Sequence, residues 1–181
     1  PNGQLSGMAP CSGWGYNWGN GPAWDSALFN IPYQLYLFTG KTRCMRRNFP
    51  NMMKYLKFME SLEEDGIIRY GLGDWLPPPE IKEQTPPELV STAFLYYSLQ
   101  TAEKIALVLG RSAAAEYCRQ YAQRIHRVFN LCFYRGQGGY GENNMTPLAL
   151  AFLFGLSEQP SATVELLRRR VQDRGGKVDY G

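Results

Sequence analysis

The strongest constraint on this chain is its punctuation. Glycines and prolines divide it into helical stretches joined by loops that alternate short and long, and almost nothing carries the period-two pattern of a strand. Residues 1–22 are too glycine-rich for a regular element, with Gly13, Gly15, Gly19 and Gly21 ahead of Pro22. From Trp24 to Phe38 the apolar spacing is helical, with Asp25 in the first turn and Gly40 as the stop. Pro32 inside that run predicts a kink or a restart. A second stretch covers 42–64, and Pro50 predicts a break before Met52, Met53, Leu56 and Met59, whose spacing follows one helical face.

A long non-helical insertion, 65–84, contains RYGLGDWLPPPE. Thr85-Pro86-Pro87-Glu88 reads as a capping box, opening a helix that runs to Gly110. Ser112 opens the next, to about Phe133. A glycine-rich loop, RGQGGYG, leads to a short apolar helix over 147–156, and Ser161 is the expected cap of a last amphipathic helix ending near Gly175.

Helices joined by short loops pack as antiparallel hairpins. Three hairpins make half of a six-hairpin ring, so the expected fold is all-α: about half of an (α/α)6 toroid, with 1–181 as a single partial domain. In such a ring the inner helices are apolar on nearly all sides, as LALAFLFGL is. The outer ones are amphipathic, as ELLRRRVQDR is. A self-sufficient six-helix bundle is the alternative, but it leaves the long aromatic loops unexplained.

Composition narrows the function. Apolar residues make up 44% and charged residues 19% of the 181, which is globular. A net charge of +3 is too small to point to nucleic acid. Arg43, Arg46, Arg47 and Arg168 to Arg170 are expected on solvated helix faces. No apolar run reaches the roughly 18 residues of a membrane span, and the first residues, PNGQLSGMAP, do not read as a secretory leader. No Cys-x-x-Cys pair exists among the four cysteines, so a zinc site is not expected; no other metal and no cofactor is expected either. Cys118 and Cys132 fall in one helix, about 20 Å apart at a rise of about 1.5 Å per residue, too far to bond to each other. Reduced structural thiols are expected.

The chemistry is expected in the loops. Trp14, Trp18, Trp24 and Trp75 all lie in glycine- or proline-rich segments or at a helix start, not within helices, where packing holds core tryptophans. A tryptophan set among glycines offers a flat apolar platform to the CH face of a sugar, and neighbouring carboxylates accept sugar hydroxyls. Asp25 follows Trp24, and Asp74 precedes Trp75. Trp24, Asp25, Asp74 and Trp75 are therefore the candidate substrate-binding residues, against the alternative that both aspartates only cap backbone N–H groups.

Other motifs carry less. Gly136, Gly138 and Gly141 fit GxGxxG but follow a helix rather than a strand, which argues against a dinucleotide site. His126, the one histidine, is expected at an exposed helical position, and no GxSxG is present. Asn144-Met145-Thr146 is a formal glycosylation sequon directly before Pro147.

The segments GPAWDSALFNIPYQLYLFTGKTR and IIRYGLGDWLPP resemble the bacterial α-L-rhamnosidases of glycoside hydrolase family seventy-eight. The resemblance rests on Pro22, Trp24, Ile31, Pro32, Leu35, Tyr36 and Gly40, and on the GLGDW loop, Gly71 to Trp75. STAFLYY, AEKIALVLG, LALAFLFGL and GGKVDYG extend it over nearly the whole chain. Tyr33 stands where that family often has tryptophan, and Lys41 replaces an aspartate.

The resemblance implies a six-hairpin barrel and hydrolysis of terminal α-L-rhamnosides with inversion by a bacterial enzyme. It puts Trp24 and Trp75 in the −1 pocket. The family's acidic motif, Asp-x-x-x-x-Arg-Glu before Gly-Trp, is not in these residues, and the general base is expected after a Thr-Gly step. Both catalytic carboxylates are thus expected outside 1–181, and the segment alone is expected to be inactive. Its expected partners are a rhamnose-containing glycan and the remainder of its own polypeptide, or a second copy. Another toroidal hydrolase or polysaccharide lyase, and a non-enzymatic helical interaction module, are the rival readings.

Overall fold

The computed structural model describes residues 2–11, 13, 20–74 and 85–178. Helices form where the spacing predicts them. A single turn, α1 (Pro22–Asp25), has proline at its first position. It leads into α2 (Ala27–Thr39), which ends where Gly40 turns left-handed at φ 68° and donates its N–H to the Tyr36 carbonyl at 2.7 Å. Then come α3 (Arg43–Ser61), α4 (Pro87–Val108), α5 (Ser112–Phe133), α6 (Met145–Leu153) and α7 (Pro160–Asp173). Among the described residues the β-type pairing is confined to two isolated bridges, Glu64 with Ile67 and Tyr134 with Tyr140.

The helices pair as three consecutive hairpins: α2 with α3, α4 with α5, and α6 with α7. Helix α4 is the hub, touching α1, α2, α3 and α6 as well as α5. It is buried on almost every side, including Ser91, Thr92, Ser98 and Thr101. Two of these hydroxyls find backbone partners, which offsets the desolvation of burying them: Thr92 accepts the Ile68 N–H at 3.1 Å, and Thr101 donates to the Tyr97 carbonyl at 3.0 Å. By contrast α5 buries one stripe, Ala115, Cys118, Ala122, Ile125 and Phe129, the three-four spacing of a helix with one wet face. The outer helices α3 and α5 are tied by Tyr117 donating to Glu60 at 3.0 Å, while Arg124 forks onto Glu63 just past the end of α3. Inner helices α2, α4 and α6 thus line one side, with α3, α5 and α7 behind them.

Three local expectations are corrected. Neither Pro32 nor Pro50 breaks its helix: both lie inside, and the interruption falls at Ser26 instead. Each proline removes one helical hydrogen bond, but packing on both sides holds the helix together, with Phe29 and Pro32 buried in α2 and Met45 and Met52 buried around Pro50. The capping box does not form, because the Thr85 hydroxyl bonds elsewhere and Pro86 occupies the cap position. Ser161 likewise lies inside α7, whose N-cap position falls at Gln159 without a side-chain capping bond.

The arginines at 43, 46, 47 and 168–170 are exposed. All four cysteines are free thiols, with Cys118 buried and Cys132 exposed on the same helix. Burial pushes the Cys118 thiol up to about 12. No helix among the described residues is long and apolar enough to cross a membrane.

Candidate sugar-binding mouth

The N-terminal ends of the inner helices meet at one end of the molecule, and glycines make the approach possible. Gly21, at φ 129°, and Gly71, at φ 128°, touch backbone to backbone. A Cβ on Gly21 would lie 2.5 Å from the Gly71 Cα. The turn that carries Trp24 is thereby packed directly on the 68–74 loop. Gly73 repeats the device against α4, since its Cβ would fall 2.7 Å from the Pro87 Cα.

Asp74 fastens the same loop to α6. Its Oδ2 accepts hydrogen bonds from the Thr146 hydroxyl at 2.8 Å and the Thr85 hydroxyl at 3.1 Å. Asn144, at the start of α6, donates its side-chain N–H to Thr85 Oγ1 at 3.4 Å. A chain of polar contacts therefore runs from α6 through the start of α4 to the GLGDW loop. Thr146 and Thr85 carry no functional signal in the sequence. The one hint was the proline after Thr146, which marks a helix start where a threonine hydroxyl can point outward from the first turn.

Trp24 and Asp25 part company. Trp24 lies on the outside of its turn and is 38% exposed, as a stacking platform must be. Asp25 points the other way and is 5% exposed, accepting the Gly21 N–H through Oδ2 at 3.3 Å. It closes the turn as a capping carboxylate does. Tyr55 of α3 lies beneath it, fully buried, its hydroxyl making no hydrogen bond of ordinary geometry yet close enough to stabilise the Asp25 charge. Burial raises the Asp25 carboxyl from 3.8 to about 6, and Tyr55 and the Gly21 N–H only partly oppose it. Trp14, Trp18 and Trp75 lie outside the described residues.

Of the four candidate residues, then, the structure brings Trp24, Asp25 and Asp74 to one mouth, and both carboxylates bond to the protein there. The expected pairing of stacking ring and adjacent hydroxyl acceptor does not hold for Asp25, because successive residues of a one-turn helix point in different directions. His126 is half-buried rather than exposed, its ring 5.7 Å from that of Tyr96 and its Nδ1 3.7 Å from Glu158. Gly138 of the GxGxxG run packs on the start of α7, where Thr163 donates to its carbonyl at 2.7 Å. A groove of about 560 Å³ near Leu35, Lys41, Arg43 and Arg47 lies at the far end of α2 from Trp24.

The family model for the bacterial alpha-L-rhamnosidase six-hairpin glycosidase domain matches residues 1–181. The chain belongs to that family. An alpha-L-rhamnosidase of Streptomyces avermitilis is 27% identical over 176 residues, which is 96% of this chain and 16% of the relative. The solved alpha-L-rhamnosidase of Dictyoglumus thermophilum is 26% identical with a TM-score of 0.88, covering 99% of this chain and 21% of that one. A Streptomyces avermitilis alpha-L-rhamnosidase complexed with L-rhamnose, at 23% identity, shares the fold with a TM-score of 0.88 over 99% of this chain and 17% of its own. The chain thus spans about a sixth to a fifth of the length of these rhamnosidases, and its three hairpins are part of a six-hairpin glycosidase domain.

Proposed function

We propose that these residues form part of the pocket wall of an inverting glycoside hydrolase that acts on terminal α-L-rhamnosides. The observation that carries the proposal is the convergence, in a chain of this family, of the Trp24 turn, the GLGDW loop and the starts of α4 and α6 on one end of the inner helices. Trp24 supplies a platform for the sugar ring, and Trp75 is assigned the same role from the sequence. Asp74 and Asp25 shape the mouth from beneath. The general acid and base come from other parts of the polypeptide, about 6.5–9.5 Å apart with a water between them, as inversion requires. The same remainder covers the apolar stripe that α2 presents through Ile31, Leu35 and Phe38.

The test is a panel of aryl glycosides offered to the full-length protein, with the first-formed anomer read by proton NMR. Hydrolysis of the α-L-rhamnoside to β-rhamnose is expected. Preference for another glycoside, or α-rhamnose as first product, overturns the substrate or the mechanism. Turnover by the 181-residue segment alone would overturn the placement of the carboxylates elsewhere, since general acid–base groups contribute about 10²–10⁴-fold each.

A further inference from the structure

Beneath Trp24 lies a buried acid whose charge the pocket reading does not use. Asp25 is almost wholly enclosed, and the titratable groups nearest it are tyrosines: Tyr55 from α3 and, acting on Tyr55, Tyr70 of the 68–74 loop and Tyr121 of α5. Helix α2 adds the uncharged Phe29, whose ring meets that of Tyr55 edge-on at 5.8 Å, and α4 brings Ser91 to Gly71. No cation balances the carboxylate among the groups that act on it. A fold that wanted only a closed turn could close it with a neutral side chain at lower desolvation cost.

We propose that Asp25 is a positioning residue, whose carboxylate closes the Gly21–Asp25 turn and so holds the outward face of Trp24 toward the sugar. The inference rests on Trp24 being the sugar platform. As a carboxylate, Asp25 accepts the Gly21 N–H in a charge-assisted bond at 3.3 Å; once protonated, it keeps only the weaker neutral contact. Trp24 is adjacent in sequence and on the same turn, so a change in the turn's closure re-aims the indole without touching its contacts directly. Burial places the titration near pH 6, where it can be read.

The experiment uses the full-length protein labelled with 5-fluorotryptophan, with the Trp24 resonance assigned from its loss in Trp24→Phe. In the wild type that resonance should titrate with a midpoint near 6. In Asp25→Asn the titration should vanish, and in Tyr55→Phe the midpoint should move up, because the hydroxyl that favours the charged form is gone. On an aryl α-L-rhamnoside, Asp25→Asn should raise KM about tenfold with kcat within about twofold, the signature of lost uniform binding. Tyr55→Phe, which keeps the ring and the fold, should match the wild type above its raised midpoint and lose affinity below it. A Trp24 resonance that stays flat between pH 5 and 8 in the wild type overturns the proposal, as does one that titrates unchanged in Asp25→Asn. A titrating Trp24 in a protein that hydrolyses no rhamnoside overturns the functional reading and leaves the closure of the turn by Asp25 standing.

Discussion

Thr146 Oγ1 donates to Asp74 Oδ2 at 2.8 Å, a bond across 72 residues that ties the first turn of α6 to the end of the GLGDW loop. The same oxygen takes the Thr85 hydroxyl, so one carboxylate joins three segments of the mouth.

Removing one donor isolates that tie. Thr146→Val keeps the shape and the first turn of α6 but deletes the bond to a charged acceptor, a loss of about 1.5–3 kcal/mol. Asp74→Asn should cost a similar amount, since a neutral amide oxygen is a weaker acceptor for the two hydroxyls that meet at Oδ2 than a carboxylate oxygen is. A double mutant should lose less than the sum, because both changes break one contact. Chemical denaturation of the full-length protein measures all three. Additive losses would mean that the two residues do not act through each other.

The Asp25 carboxyl gives a pH-dependent stability whose sign is fixed by the direction of its shift. Its value in the folded protein, about 6, lies above the ordinary 3.8, so the folded state binds the proton more tightly than the unfolded chain. The stability it contributes is complete below about pH 3.8 and is lost as pH rises through about 6. A shift of this size is worth about 3 kcal/mol at most. Asp25→Asn, neutral throughout, should therefore melt higher than the wild type at pH 8 and close to it at pH 4. A variant that melts lower than the wild type at pH 8 would show that the carboxylate is a net stabiliser after all.

Gly21 and Gly71 make a second pair that stability measurements can separate. Gly21→Ala places a Cβ at φ 129° and 2.5 Å from the Gly71 Cα, and the left-handed backbone alone costs about 1–3 kcal/mol. Gly71→Ala meets Ser91 Oγ at 2.9 Å as well as the Gly21 Cα at 3.2 Å. Either should lower the melting temperature, and the two together should cost less than their sum, since the first already pries the loops apart. Wild-type stability in Gly21→Ala would mean that the two loops do not pack as closely as the structure has them.

How much of this was legible beforehand depends on what each feature rests on. Helix α5 was placed at both ends by Ser112 and Phe133, because Gly110 stops α4 and the stripe from Ala115 to Phe129 repeats without interruption. The division into inner and outer helices followed from the contrast between LALAFLFGL and ELLRRRVQDR, since burial on all sides leaves no polar face to read. The prolines misled, because a propensity of about 3 kcal/mol against proline in a helix is outweighed when both flanks are anchored in a core. Thr85 misled for a different reason: a capping box is a local pattern, and the hydroxyl it needs was taken by Asp74 of another loop. The mouth was visible only in part. Tryptophans among glycines flagged Trp24 and the GLGDW loop, but nothing local shows that Asp25 faces Tyr55, which comes from another helix.

Trp24 tests whether the mouth receives a sugar at all. Trp24 keeps 38% of its surface exposed, so Trp24→Ala takes away some packing along with the open face and should lower the melting temperature only modestly. If the ring carries the CH face of rhamnose, its loss weakens ground state and transition state alike. KM then rises and kcat holds, with kcat/KM falling by about tenfold for roughly 1.4 kcal/mol of stacking. Trp24→Phe, which keeps an aromatic face of smaller area, should fall between. The opposite pattern is equally clear: if Trp24 instead packs against another part of the full-length chain, Trp24→Ala melts distinctly earlier, and the enzyme that remains folded turns over aryl rhamnoside with normal KM. Measuring melting and steady-state kinetics on the same three proteins separates a platform from a plug, and an early-melting Trp24→Ala with normal KM would take Trp24 out of the pocket.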